Sequence, residues 1–407
     1  MFSLSRFCRI LDWIAIVQSH SNSGFGSVKI RLLIYNIVSM SKWARNFASS
    51  NVLLSQGFDP FVEGMTNMAA PIQPSMNFAK MSAGKKRGLA AVSSPDGVIA
   101  ALALDHRASL VALMKAAAGE EPAAAQVEEF KRVVTQHLSP LASGVLLDQN
   151  YGQIAIKVRN KSTGLLLPYE NDAYLNTHPE KLPTLISGAS VKRLKEAGAD
   201  CVKVLMHYTP LAPAHVNEAK KAFVERVGAE CLAEDIPFFL ELVHYASPEE
   251  PEEGKRPRRK PDTVIRSMAE FSRDRYGVDV LKVEVPVDLK FVEGTRSFVG
   301  PAIWSRDRAL DLFRQAAAVT SKPFIYLSAG VGIEEFIEAL SLAGEAGVPF
   351  SGVLCGRAAW QEGVVAYSMG GVRGLEGWLE DKGQRNFARV IELLKQAQPY
   401  HKRTVRA

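Results

Sequence analysis

The chain has 407 residues, of which 47% are hydrophobic and 23% are charged. This suits two or three ordinary domains, or one α/β barrel of roughly 300 residues plus an extension, and it excludes a largely disordered protein. The formal net charge is +6, but residues 1–58 hold six basic residues against one acid, Asp12. The rest is nearly neutral and shows no basic stripe, so nucleic-acid binding is not expected.

Residues 1–85 are rich in Ser, Asn and Arg and poor in acids. Three interpretations are open: an organelle transit peptide, a disordered tail, or a start upstream of the native one, with the last two favoured. A methionine just before the regular part, such as Met81, is consistent with an upstream start. A secretory signal is not expected, because the first apolar stretch is short and contains an acid.

From Asp96 onward, short apolar runs alternate with longer amphipathic ones. Eight runs have the length and composition of buried strands. They are Val98–Leu104, Gly144–Leu147, Leu165–Tyr169, Cys201–Met206, Pro237–Val243, Val280–Val285, Pro323–Leu327 and Gly352–Cys355. Helical patterns separate most of them: Ala123–Leu138, Ser190–Ala197, Asn217–Glu234, Asp262–Tyr276, Arg306–Thr320, Ile333–Ala346 and Gly374–Gln396.

Eight β-α repeats predict a single parallel (β/α)₈ TIM barrel over residues 86–398, with 1–85 as an irregular extension and 399–407 as a tail. A doubly wound sheet is the alternative, but no GxGxxG follows the first strand. The gap Tyr151–Gly164 leaves room for only a short helix. The proline-rich charged run Ser247–Lys260 predicts a solvated loop after strand five, either plain or acting as a lid.

The four cysteines form no CxxC pair, and they are typical of reduced core residues rather than a disulfide frame or a zinc site: Cys8, Cys201, Cys231 and Cys355. No apolar run approaches the ~20 residues that a membrane-spanning helix needs. We therefore expect a cytoplasmic protein without a membrane partner.

Lys282 and Glu284 stand two positions apart in an apolar run. Strand side chains alternate between faces, so both are expected to point inward while Leu281, Val283 and Val285 point outward. A lysine removed from water has a lowered pKa, and its free amine is a nucleophile for carbonyl groups, as in Schiff-base enzymes. The alternative is a buried salt bridge.

Ionisable residues also mark the carboxyl ends of other predicted strands, where the active site of a TIM barrel lies. They are Asp105, His106 and Arg107 after strand one, Asp148 after strand two, Lys203 in strand four, Glu241 in strand five and Arg357 after strand eight. Packing alone does not account for so many ionisable residues at strand ends, so we expect them to form a functional site. Two lysines facing one lumen are expected to lower each other's pKa, while Glu241 and Asp105 neutralise one of them and shuttle protons.

Small residues follow strands seven and eight, in Ser328-Ala329-Gly330-Val331-Gly332 and in Gly356-Arg357. Backbone N–H groups exposed near a helix start form the usual phosphate site of such barrels, and Arg357 would add a bidentate contact. Tight turns are the plainer explanation of the glycines. His207 and His244 offer an alternative metal site, but their spacing does not support it, so neither a metal nor a cofactor is predicted.

Between about Gly88 and Gln396 the chain resembles the class I tagatose 1,6-bisphosphate aldolases. The resemblance is carried by seven segments: Ala103–Arg107, Leu146–Asp148, Gly164–Leu167, Pro237–Glu241, Val280–Pro286, Tyr326–Val331 and Gly352–Ala358. The sulfofructose-phosphate aldolases are similar relatives, and Leu138–Ser143 resembles them as well. The family usually has Gln-Arg where this chain has His106-Arg107, at positions expected to contact the far end of the substrate, so the sugar stays open.

The resemblance implies that Lys282 forms a Schiff base, that Glu241 is the general acid/base, and that Asp105 and Lys203 support them. It implies a phosphate site at the Ser328–Gly330 backbone and Arg357. The remaining expected substrate contacts are His106, Arg107, Asp148, Glu284, Ala329 and Gly356. A homo-oligomer is also implied.

These expectations describe a metal-independent aldolase. It would cleave a ketohexose bisphosphate, such as tagatose 1,6-bisphosphate, to dihydroxyacetone phosphate and glyceraldehyde 3-phosphate. The alternatives are a sulfofructose-phosphate aldolase, giving dihydroxyacetone phosphate and sulfolactaldehyde, and a non-catalytic sugar-phosphate sensor. The complete set of Lys282, Glu241, Asp105 and Lys203 argues against the sensor.

Overall fold

The computed structural model describes residues 81–172, 179–246 and 256–403. Most of the predicted N-terminal extension therefore lies outside the described residues. So do positions 247–255 of the predicted charged loop.

Eight parallel strands form a closed barrel, as predicted. They are β1 Ile99–Leu104, β2 Gly144–Leu147, β3 Gly164–Pro168, β4 Cys201–His207, β5 Phe238–Val243, β6 Val280–Val283, β7 Phe324–Tyr326 and β8 Gly352–Cys355. Each strand pairs with the next along the chain, and β8 closes the barrel on β1, with Ile99 opposite Gly352. The predicted strands are all present, with ends that shift by one or two residues.

Helices cover the outside of the barrel. Among the described residues they are α1 Ala83–Ala91, α2 Ala108–Ala118, α3 Ala124–Leu138, α4 Gln153–Val158, α5 Val191–Glu196, α6 Ala214–Ala233, α7 Arg256–Phe271, α8 Arg306–Ala318, α9 Ile333–Glu345, α10 Arg357–Trp378 and α11 Gln384–Leu393. The short α4 fills the narrow gap between β2 and β3, as expected. None of these helices is long and apolar enough to cross a membrane.

Two segments differ from the prediction. Helix α2 was missed, because its sequence is almost entirely apolar and therefore lacks a polar face that would show helical periodicity. The helix predicted over Gly374–Gln396 is present: it begins in the part of α10 that follows a break at Gly371, and a π-helical turn at Leu379–Gly383 joins it to α11. Residues 256–260 of the predicted loop lie in α7, where the Nζ of Lys260 approaches the carboxylate of Glu284 at 3.9 Å.

Strand alternation divides the core into two layers. One face of each strand packs against the helices, as Leu281 does, while the other fills the barrel, as Val280 does. Three described cysteines, Cys201, Cys231 and Cys355, are buried and free, as predicted.

Helix α1 closes the amino-terminal end of the barrel. Leu89 from this helix joins the inner core, and the Nζ of Lys85 contacts Asp279 at 2.8 Å beside the start of β6. The described end of the chain also packs on the body, because Arg403 donates to the carbonyl of Ala317 at 2.7 Å. Because the amino-terminal end is covered, a functional site is expected at the carboxyl ends of the strands.

Candidate active site

A buried cluster of three carboxylates and two lysines occupies the carboxyl end of the barrel. Lys203 lies at its centre, with Nζ 2.8 Å from Asp105 Oδ2, 2.8 Å from Glu170 Oε1 and 2.9 Å from Glu241 Oε2. The Nζ of Lys282 lies 2.8 Å from the other oxygen of Glu241, Oε1. Glu241 therefore bridges the two lysines.

Strand register explains why these side chains meet. Glu241 on β5 is directly opposite Lys282 on β6. Lys203 on β4 is opposite Phe239, which precedes Glu241 by two residues and therefore shares its face. The alternation of β4, β5 and β6 thus directs all three ionisable groups to the barrel interior.

A cavity of about 280 Å³ opens at this cluster. The predicted substrate contacts His106 and Arg107 line it. All four predicted catalytic residues line it as well: Asp105, Lys203, Glu241 and Lys282. Residues at the start of α2, including Ser109, complete one wall. A small polyhydroxylated molecule would meet donors and acceptors on several sides of this cavity.

The charge state of Lys203 differs from the prediction. Burial alone would lower its pKa, but Asp105, Glu170 and Glu241 outweigh burial and raise the pKa of Lys203 well above its usual range. Burial opposes ionisation of Asp105 and Glu241, yet Lys203 lowers the pKa of both carboxyls. The expectation that the two lysines lower each other's pKa was therefore wrong for Lys203, which is a fixed cation among ionised carboxylates.

Glu170 was missed by the sequence analysis. It lies just beyond β3 with only 3% of its surface exposed, and it lines the cavity. Burial raises the pKa of Glu170, although Lys203 and Arg107 act in the opposite direction. A signal was available, because a carboxylate directly after an apolar run is the pattern that had singled out Asp148.

His106 is held against Trp360 of α10, with the ring centroids 5.1 Å apart in an edge-to-face arrangement. Burial lowers the pKa of His106 to about 3, and the charge of Arg357 adds to this, although Asp105 opposes it. The imidazole is therefore neutral over the ordinary working range of an enzyme.

Arg107 is anchored to the segment after β3. Its Nη2 donates to the backbone carbonyl of Glu170 at 3.2 Å, and its Nε lies 3.3 Å from Asp172 Oδ2. Arg107 is thus a buried cation that ties the segment after β1 to the segment after β3.

Asp148 lies behind the cavity and does not line it. Its carboxylate forms a fully buried ion pair with Lys131 of α3 and accepts a hydrogen bond from the backbone N–H of Tyr151 at 2.7 Å. Lys131 also donates to the carbonyl of Leu104 at 2.9 Å, directly before Asp105. The pair therefore supports the chain at the end of β1.

Glu284 does not share the cavity of Lys282. Strand β6 ends at Val283, so the predicted alternation does not extend to Glu284. Its Oε2 accepts a hydrogen bond from the backbone N–H of His244 at 2.8 Å and also contacts the imidazole, and together they line a second cavity of about 300 Å³. Burial opposes ionisation, but Lys260 and His244 lower the pKa of Glu284 to about 2.

The segment after β7 is a tight turn beside the second cavity. Ala329 and Gly330 have φ values of 48° and 82°, both left-handed, and Ser328 and Ala329 line the second cavity. The hydrogen bonds here run from Leu327 N to the carbonyl of Val283 and from Val331 N to that of Ser328. Successive N–H groups in a turn can form an anion-binding concavity.

The glycines after β7 and β8 sit against functional side chains. A Cβ on Gly330 would lie 2.5 Å from the Cζ of Arg357, and one on Gly356 would lie 3.0 Å from the Cε1 of His106. Arg357 is the first residue of α10. The structure thus brings Gly330 and Arg357 together, as the predicted phosphate site requires.

The two histidines of the alternative metal site face different neighbours. His244 contacts Glu284, whereas the His207 ring lies 6.3 Å from that of Tyr245. Burial lowers the pKa of His207 to about 4. Within the described part of the chain, no group of three His, Cys, Asp or Glu residues is arranged to hold a metal ion.

A closed β/α barrel with buried lysines and carboxylates at its carboxyl end has the architecture of a barrel enzyme. The chain belongs to the DeoC/LacD family of aldolases, whose model matches residues 99–362. It is therefore an aldolase, a carbon–carbon lyase, as the resemblance had implied.

The curated relatives are named tagatose 1,6-diphosphate aldolases. The protein from Listeria monocytogenes serotype 4b (strain CLIP80459) is 45% identical over 316 residues, which cover 77% of this chain and 93% of the relative. Aldolase 1 of Enterococcus faecalis is 43% identical over 319 residues (78% and 97%). Aldolase 2 of Streptococcus pyogenes serotype M1 is 44% identical over 312 residues (75% and 94%).

Among solved structures, the chain is similar to a Schiff-base-forming fructose-1,6-bisphosphate aldolase. The match covers 72% of this chain and 97% of the other, with 15% identity and a TM-score of 0.46.

Proposed function

We propose that the protein is a class I aldolase that forms a Schiff base at Lys282. It cleaves a ketohexose bisphosphate, such as tagatose 1,6-bisphosphate, to dihydroxyacetone phosphate and glyceraldehyde 3-phosphate. The observation that carries the proposal is a cavity lysine whose Nζ lies 2.8 Å from a carboxylate that a second lysine holds ionised. The names of the relatives support the substrate class.

In the first stage Lys282 loses a proton and attacks the ketone carbon. Glu241 is within hydrogen-bond reach of Lys282, and Lys203 keeps its carboxylate ionised, so it is placed to accept this proton. It returns a proton to the carbinolamine hydroxyl, which leaves as water and produces an iminium ion.

In the second stage the iminium accepts the electron pair of the bond between carbons 3 and 4, which breaks as the 4-hydroxyl loses its proton. Glyceraldehyde 3-phosphate leaves, and the enamine is protonated at carbon 3 and hydrolysed to dihydroxyacetone phosphate. The iminium acts as the electron sink that a metal ion supplies in other aldolases, so this chemistry needs no metal.

The phosphate next to the ketone is assigned to the Ser328–Gly330 backbone and Arg357. Two left-handed residues, a half-buried guanidinium beside Gly330 and the start of α10 support this assignment. Gly356 leaves room for His106, which with Arg107 would contact the rest of the sugar. For Asp148 and Glu284 we propose supporting roles, through Lys131 and His244 respectively.

Borohydride reduction with dihydroxyacetone phosphate tests the proposal. Mass spectrometry should find one reduced adduct, on the peptide that contains Lys282. Lys282→Met should form no adduct and lose turnover by a factor of about 10³ or more while keeping the wild-type circular dichroism spectrum. Absence of an adduct together with activity that a chelator abolishes would contradict the mechanism, and a collapsed variant fold would favour the buried salt bridge.

A kinetic panel separates the candidate substrates. We expect cleavage of tagatose 1,6-bisphosphate, with fructose 1,6-bisphosphate and sulfofructose 1-phosphate as comparisons. A higher kcat/KM for the sulfonated ketose would move the assignment to the sulfofructose-phosphate aldolases. Tight binding of all three without cleavage would identify a sensor.

A further inference from the structure

One buried carboxylate oxygen of a residue that lines the cavity lacks a hydrogen-bond partner among the described residues. Glu170 Oε1 lies 2.8 Å from Lys203 Nζ, whereas Glu170 Oε2 is buried and has no hydrogen-bond partner among the described residues. The residue is 3% exposed and lines the cavity that contains Lys282. A buried acceptor without a donor costs free energy, which a ligand hydroxyl would recover.

The position of Glu170 in the barrel indicates which part of a substrate it meets. Strand β3, which Glu170 follows, is four strands from β7 in either direction around the eight-stranded barrel. Glu170 therefore faces the Ser328–Gly330 segment across the mouth. A ketose with its ketone-side phosphate at that segment, and carbon 2 at Lys282, extends its other half toward Glu170.

The surroundings of Glu170 suit a hydroxyl rather than a second charged group. Lys203 holds one oxygen, and Arg107 donates to the backbone carbonyl of Glu170 at 3.2 Å. Burial raises the pKa of Glu170, whereas the pKa values of Asp105 and Glu241 are lowered. Of the three carboxyls on Lys203, Glu170 is the one with a buried oxygen that lacks a hydrogen-bond partner among the described residues.

We propose that Glu170 is a substrate-binding residue whose Oε2 accepts a hydrogen bond from a hydroxyl of the sugar half that leaves as the aldehyde. This rests on the proposed function, because it assigns the two halves of a ketose bisphosphate to opposite sides of the barrel. The competing explanation is that Glu170 only helps to hold Lys203.

Two reactions of one variant separate these explanations. In Glu170→Gln the amide oxygen must face Lys203, because the ammonium group of Lys203 can only donate hydrogen bonds. The amide NH₂ group then takes the place of Oε2 and offers the substrate a donor instead of an acceptor. Cleavage of tagatose 1,6-bisphosphate should lose about tenfold or more in kcat/KM. Dihydroxyacetone phosphate also exchanges a proton at its hydroxymethyl carbon, which is carbon 3 of the ketose. This exchange involves only the half of the substrate that stays on Lys282, so its rate should remain within about twofold of wild type.

Asp105→Asn is the matched contrast. It also removes one carboxylate from Lys203, but at a residue that the family resemblance assigns to catalysis, so it should slow both reactions. If Glu170→Gln also slows both equally, or slows neither, the inference is wrong. Glu170→Asp keeps the charge beside Lys203 but withdraws the carboxylate from the cavity, so it should give the same split if the glutamine variant does not fold. A wild type without a borohydride adduct would instead overturn the proposed function itself.

Discussion

At the scale of single residues, Lys203 organises the charge of the site. It contacts Asp105, Glu170 and Glu241 within 2.9 Å. The three carboxylates keep it protonated, and in return it keeps Asp105 and Glu241 ionised. Lys203 keeps its positive charge throughout, so Glu241 beside it stays ionised and can accept a proton from Lys282.

His106 provides a prediction about pH. Its pKa is about 3 in the folded protein against 6.5 for an ordinary histidine, so between these pH values the unfolded chain binds one more proton than the folded chain. Stability attributable to neutral His106 is therefore complete above about pH 6.5 and is lost as the pH falls toward 3. His106→Gln should remove this loss. When the pH is lowered from 7.5 to 5, the unfolding free energy of the variant should therefore rise by about 2 kcal/mol relative to that of wild type.

Urea unfolding at both pH values measures this difference. Because glutamine is also uncharged and can hydrogen-bond to the sugar in place of the imidazole, the variant should also keep kcat/KM within about threefold. A stability difference that does not change with pH would show that the pKa of His106 is the same in the folded and unfolded chains.

At the scale of elements, the loops after β7 and β8 are shaped by residues without large side chains. Gly330 is left-handed and packs against Arg357, whereas Gly332, two residues later, is not left-handed and has open space at its Cβ position. The two glycines therefore have different reasons to be present, although the sequence motif treats them alike.

Gly330→Ala and Gly332→Ala form a matched pair. The Gly330 variant places a methyl group 2.5 Å from the Arg357 guanidinium and strains a left-handed residue, at a cost of about 1–2 kcal/mol. We expect it to raise the KM for tagatose 1,6-bisphosphate about tenfold or more through a displaced Arg357. Gly332→Ala should leave KM unchanged, and equal KM values for the two variants would argue against the phosphate assignment.

At the scale of the whole molecule, stability and chemistry occupy opposite ends of the barrel. Helix α1 closes the amino end with the buried pair Lys85–Asp279, while the cavity lies at the carboxyl end. This separation is typical of TIM barrels, where the end opposite the catalytic loops serves stability. The homo-oligomer implied by the family resemblance stays a prediction, which sedimentation would test.

Lys85→Met tests the separation. It leaves the buried Asp279 without its cation and should cost about 3–5 kcal/mol of unfolding free energy. The double variant Lys85→Met/Asp279→Asn should lose clearly less, because no uncompensated carboxylate remains. Both should keep kcat within about twofold when assayed well below their unfolding temperature. If Lys85→Met were as stable as wild type, or if either variant lost much of its kcat, the assignment of stability and catalysis to opposite ends of the barrel would be wrong.

Much of the fold was predictable because its signals are local. Apolar runs of strand length, followed by amphipathic helices that end in glycine, recur along the chain and indicate a barrel. Helix α2 escaped because an all-apolar helix has no periodic signal, and the residues that start α7 were misread because their proline and charge content is typical of loops. In α7, which contains Pro261, tertiary packing outweighs local preference, whereas the alanine-rich α2 has a high intrinsic helix propensity that hydrophobic periodicity does not reveal.

The sequence by itself determined the barrel and the chemical groups at its strand ends, because hydrophobic period and residue type are properties of neighbouring positions. Only the tertiary structure decided which groups share a cavity. Glu170 and Lys203 meet although 33 positions separate them, whereas Glu284, two residues from Lys282, faces elsewhere because β6 has already ended. Such contacts depend on register and on where each strand stops, which no local pattern specifies.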